Sequence, residues 1–290
     1  MQQEADASDP LPADPAARKK QPGVAFLLAG LHLLALVLLY LGTRERASAN
    51  FNSHFCRVAW LGLICGQISL AGIFGALAPL PLLLRLSFGL IAAAIGWGLI
   101  LVGLEAATQY SGAWAAMTAL QFTLTAAGSF LLRICVRQAE GESARSLLGQ
   151  YTIATLLAWT TLIAVLLGLL RWAAARFGWD ESILRWEWFL HVQVIGLFNA
   201  ALALVALASV IGSRWPRLRR TWGLIIAMVI VFHEPFLLDV FFQKVGADYT
   251  DLWTMGGMQI LSLFLTLHLI RWAGGLAEQV TLLRPPDAAC

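Results

Sequence analysis

The sequence predicts an all-α fold, a polytopic helical membrane bundle of about eight transmembrane helices, on three observations. Of 290 residues, 59 % are hydrophobic and only 13 % charged, where a soluble chain carries roughly 45–50 % and about 25 %. Apolar runs of about 20 residues, enough to cross ~30 Å of hydrocarbon as a helix, recur along the chain. Tryptophans gather at the ends of those runs, as indole does at the headgroup boundary. A water-soluble domain of this composition would be coated in exposed apolar surface, whereas a bilayer covers it.

Eight runs meet the length requirement, at about 24–42, 58–78, 81–103, 113–134, 152–171, 188–211, 222–242 and 254–272. They are continuously apolar and lack the alternation of a membrane barrel, so helices are implied. Ahead of them, residues 1–23 are polar and rich in Pro and Ala, the composition of a disordered tail. Residues 24–272 make the bundle, and 273–290 a second tail. The first run is followed by Ala47, Ser48 and Ala49, a small-residue spacing that signal peptidase accepts. Its length, and Arg44, Glu45 and Arg46 crowding the site, favour a retained span.

Runs two and three are joined by "APLP", which admits only an antiparallel hairpin. Gly62, Gly66, Ser69, Gly72 and Ala76 share one face of run two, and Gly89, Ala93, Gly96 and Gly103 recur similarly in run three. Small residues let backbones approach where lipid removes the hydrophobic drive, so a tightly packed hairpin is expected. Ten of the twelve tryptophans, including Trp60, Trp114, Trp222, Trp253 and Trp272, sit at or beside run ends. The connection 172–187 mixes aromatics with charges, which suits a short helix lying on the membrane surface. No connection is long enough for a folded extramembrane domain, so any chemistry belongs to the bundle, its mouths or a partner.

Of the 20 Lys and Arg, thirteen fall on the side of the two tails and the even connections, and seven on the other. The excess predicts cytoplasmic termini in a multi-pass protein of the inner (cytoplasmic) membrane. The net charge of +3, with no basic stripe interleaved with aromatics, gives no nucleic-acid partner. Cys56, Cys65, Cys135 and Cys290 form no CxxC pair, which excludes a zinc knuckle or disulfide framework as the organising feature. Cys290 lacks the three following residues that prenylation requires.

The seventh run holds the anomaly, "VFHEPFLLDVFF" at 231–242. Its thirteen Leu, Ile, Val and Phe residues favour insertion by about 6 kcal/mol, and two acids at ~2.5–3.5 kcal/mol apiece cancel most of that. Glu234 and Asp239 must therefore be protonated, paired or turned to a polar interior. Pro235 cannot donate to the carbonyl of Val231, so a kink is expected there. On an ideal helix His233, Glu234 and Asp239 point roughly 100–140° apart. "HEPFL" is not the zincin motif, because Leu237 stands where the second histidine belongs.

Three readings stay open. The groups are buried polar residues bonded to Gln67, Gln121, Gln193 or Asn199. Or they handle a proton or small solute, with Glu234 exchanging, His233 modulating, Pro235 bending the helix and Asp239 relaying outward. Or a non-covalent haem or other cofactor lies between His32 and His233, the one histidine pair at compatible depths. No catalytic residue and no metal set is assigned, and the sequence does not imply an enzyme. A rival from another class is a non-catalytic membrane subunit that binds a protein partner through "GSRWPRLRRT", 212–221. Its arginines suit anionic lipid headgroups equally well.

One segment carries a resemblance. In "QYTIATLLAWTTLIAVLLGLLRW", 150–172, Gln150, Tyr151, Thr152 and Ile153 precede an apolar stretch with Thr160 and Thr161 that closes on Arg171. The pattern resembles a segment recurring in multi-spanning membrane proteins of planctomycete bacteria. The resemblance implies a membrane-embedded lineage and carries no activity.

Overall fold

The computed structural model describes residues 22–44, 51–78, 81–104, 111–139, 164, 168, 186–211, 216–241 and 249–272. They form seven helices: α1 (Pro22–Arg44), α2 (Phe51–Leu77), α3 (Leu82–Leu104), α4 (Ser111–Ala139), α5 (Trp186–Val210), α6 (Pro216–Phe241) and α7 (Tyr249–Trp272). Seven of the eight predicted runs coincide with these helices; run seven is α6. The run at 152–171 with its 150–172 segment, residues 172–185 of the connection after it, residues 1–21 and the tail 273–290 lie outside the described residues, apart from helical Ala164 and Gly168. Five helices, α2 and α4 to α7, are long and apolar enough to cross a membrane. α1 and α3 hold shorter apolar stretches, Gly30–Thr43 and Ser87–Val102. The chain is thus an all-helical protein with five candidate spans among the described residues, which shows part of the eight-span expectation.

α2 stands at the centre, packed against α1, α3, α4, α5 and α7. Its small residues explain how one helix accepts so many neighbours. A Cβ on Gly62 would lie 2.2 Å from the backbone oxygen of Met255, and one on Gly66 2.2 Å from Ser262 Oγ. Both glycines therefore serve α7. Gly72 abuts the Phe122 carbonyl and Thr125 of α4. The small-residue stripe was expected to tighten the α2–α3 hairpin; its closest approaches are instead to α7 and α4. The α3 glycines do face inward, Gly96 against Ile68 of α2 and Gly89 against Phe122 of α4.

A large apolar cluster joins Trp60, Leu61, Ile64 and Cys65 of α2 to Met117 of α4, Val192 of α5, Leu238 of α6 and Met255 of α7. Trp60, expected at a headgroup boundary, is 1 % exposed and packs 5.9 Å from the Tyr40 ring. It is a core residue, unlike Trp222 and Trp253, which are exposed. α6 packs against α5 and α7 and turns a broad apolar face outward, including Ile225, Val229, Phe232 and Phe236. Such a face is covered by lipid in a membrane protein.

Helix ends carrying free carbonyls are closed by arginines, which suit the negative end of a helix dipole. Arg85 donates to Ala76 O at 3.1 Å at the end of α2. Arg219 donates to Ile211 O at 2.5 Å and Arg271 to Val210 O, together closing α5.

Candidate functional site

α6 buries one narrow stripe. Gly223, Ala227, Val231, Glu234 and Leu238 recur at three- and four-residue steps and are all buried. Gly223 lets the helix approach Ser209 of α5, and Val231 meets Gly256 of α7. Leu202, Ala227, Val231 and Ile260 form a small cluster on one side of Glu234. Leu238 enters the large cluster on the other. Packing on both sides thus fixes the Glu234 side chain into the interior, where it is 0 % exposed.

Around it lies a layer of buried polar side chains from four other helices. Gln121 of α4 donates to Cys65 O at 2.7 Å and to Ser69 Oγ at 2.8 Å. Asn199 of α5 donates to Gln121 Oε1 at 3.4 Å, and its side chain also hydrogen-bonds the Cys65 thiol. Gln259 of α7 donates to Asn199 O at 2.9 Å and accepts nothing on its own side-chain oxygen. The Cys65 thiol lies in electrostatic contact with Glu234, which places the carboxyl on this layer. Neither carboxyl oxygen of Glu234 has a hydrogen-bond partner among the described residues, nor do Asn199 Oδ1 and Gln259 Oε1. Buried polar atoms are nearly always paired, so these four oxygens make the layer the candidate site, although Thr125 Oγ1 and Ser129 Oγ of α4 are unpaired too among the described residues.

The other expected residues go elsewhere. His233 is exposed, and its Nδ1 engages Val229 O, one turn back on its own helix, at 2.8 Å. Asp239 is exposed and accepts a hydrogen bond from Tyr249 Oη at 2.9 Å. That contact joins α6 to α7, beside a ladder formed by Phe236, Tyr249 and Trp253. Pro235 is buried within α6, which remains one helix on both sides of it. The structure therefore separates His233, Glu234 and Asp239 onto different faces and brings only Glu234 inside.

His32 and His233 are likewise not brought together. The two ring nitrogens of His32 bind Gln67 of α2 and Thr266 of α7, the latter at 2.9 Å, which ties α1 to the bundle. His32→Leu is expected to lower stability by about 1–2 kcal/mol through these lost bonds, read as a drop in thermal midpoint. An unchanged midpoint would show that the ring does not hold α1. Gln193, another expected partner, donates to Ala113 O at 3.2 Å and not to Glu234. Among the described residues no three His, Cys, Asp or Glu side chains gather as a metal site.

Cys65 and Gln259 were not picked out from the sequence. Gln259 was legible in principle as a polar residue in mid-span, the same signal that marked Gln121 and Asn199. Cys65 carries no such signal, since a buried thiol behaves as a small hydrophobe. Comparison with family models, curated proteins and solved structures finds no match for this chain. The site is therefore read from its own chemistry.

Proposed function

We propose that this multi-pass membrane protein exchanges protons or a small solute at Glu234, deep in a bundle of eight spans whose termini lie in the cytoplasm of the inner-membrane host. One observation carries the reading: a wholly enclosed carboxyl with neither oxygen bonded among the described residues. A structural acid would be held by a cation or by several donors, because an unpaired buried carboxyl opposes folding. Ionisable groups turned into the interior of a membrane bundle commonly mark proton relays and ion pathways. Asn199, Gln121, Gln259 and Cys65 replace His233 and Asp239 as the groups that attend the carboxyl.

The test uses purified protein in liposomes that enclose a pH-sensitive dye. A pH gradient is expected to drive proton movement that Glu234→Gln abolishes while the variant inserts and folds normally. Equal flux in both proteins would end the proposal. No flux in either would favour the non-catalytic subunit.

A further inference from the structure

The donor and acceptor inventory around Glu234 narrows what the site takes. Gln121 uses both of its amide N–H groups, on Cys65 O and Ser69 Oγ; Asn199 donates to Gln121 Oε1, and Gln259 uses one of its two, on Asn199 O. What remains open among the described residues is chiefly acceptors, namely both oxygens of Glu234, Asn199 Oδ1 and Gln259 Oε1. Pro235 adds to them, since it has no N–H to give the carbonyl of Val231, one turn back on the same helix. Ser69, Gln121, Asn199, Glu234 and Gln259 are all 0 % exposed. An anion would be repelled by the carboxylate, and a neutral solute would leave its charge uncompensated. Oxygen ligands of this kind suit hard cations, and soft transition metals prefer sulfur or imidazole. A single carboxylate among amide and backbone carbonyls balances one positive charge, where divalent sites commonly use several carboxylates.

We infer that Glu234, Asn199, Gln259 and the Val231 carbonyl form a binding site for a monovalent alkali cation, sodium-like in chemistry, that competes with the proton for the same carboxyl. The inference rests on the reading of Glu234 as the exchanging group and names its second substrate. Three helices, α5, α6 and α7, supply the ligands, so loading the site would join them at this layer. The titratable neighbour facing Glu234 is the Cys65 thiol of α2. The titratable groups of α5 and α7 stand toward the helix ends, Glu187 and His191 on α5 and Tyr249, Asp251, His268 and Arg271 on α7. No fixed positive charge among these therefore takes the cation's place beside the carboxyl.

The experiment titrates the purified full chain in nanodiscs with sodium, lithium or potassium chloride at constant ionic strength. It follows the thermal midpoint and the infrared band of protonated carboxyl. Sodium or lithium is expected to raise the midpoint and reduce the band, with apparent affinity falling about tenfold for each unit of pH lowered once the carboxyl is mostly protonated, as simple competition requires. Glu234→Gln should remove both responses. Asn199→Ala and Gln259→Leu should each weaken cation affinity about tenfold while the carboxyl band persists, which separates ligand loss from misfolding. A band that titrates with pH but ignores every alkali cation overturns the cation site and leaves proton exchange standing. The absence of any Glu234-dependent titrating band overturns both.

Discussion

Gly62→Ala is expected to destabilise the bundle by about 3 kcal/mol or more, the upper range for forcing atoms into a filled interior. The added Cβ would lie 2.2 Å from the Met255 carbonyl oxygen, 2.9 Å from its carbon and 3.0 Å from its Cα. All three are backbone atoms of α7, so no rotamer change relieves the clash. α2 and α7 must separate, and their separation also strains the Gly66–Ser262 contact one turn further along. Gly257→Ala and Gly98→Ala provide the contrast, since a Cβ at either meets nothing within 4 Å. There alanine's better helix propensity should make the change neutral or stabilising by up to ~1 kcal/mol. The three variants are compared by thermal unfolding in one detergent. A Gly62→Ala midpoint within error of the other two would refute the close α2–α7 seam.

That contrast shows what periodicity in the sequence does and does not carry. The small-residue stripe of α2 was plain from its spacing, because a helix repeats its faces every three or four residues. Which helix it meets was not, because chain neighbours joined by a short loop pack together by default. α2 and α7 are parted by more than 170 residues of chain, a separation no local pattern reports. Helix positions were legible for the same reason that lipid demands them: about 20 apolar residues are needed to cross. The exception at Trp60 is instructive. An aromatic near a run end fits an interface or a core equally by position, and the Tyr40 ring decides it.

The candidate site was half legible. Glu234 announced itself by its transfer cost, and Gln121 and Asn199 by their polarity in mid-span. The expectation that His233 and Asp239 would join Glu234 failed on azimuth. At 100° per residue, the buried stripe of α6 admits Val231, Glu234 and Leu238 and turns 233 and 239 outward. Gln259 and Cys65 come to the site from α7 and α2 through tertiary packing alone.

Glu234→Met follows from the same stripe and separates function from architecture. Methionine matches the length of the side chain, has no polar oxygen to leave unpaired, and adapts to an irregular gap. Removing two unbonded buried oxygens is expected to raise stability by about 1–3 kcal/mol in buffer free of alkali cations, while exchange falls to the level of empty liposomes. Gain of stability with loss of activity is the mark of a residue retained for what it does rather than for what it holds. A structural carboxyl would behave in the opposite way, because its removal would strand the groups bonded to it. Thermal unfolding and dye-reported flux on one preparation decide the matter. A midpoint that falls would place Glu234 among the bonds that hold α6 to α5 and α7. A midpoint that rises, with flux gone, leaves the carboxyl no role but exchange.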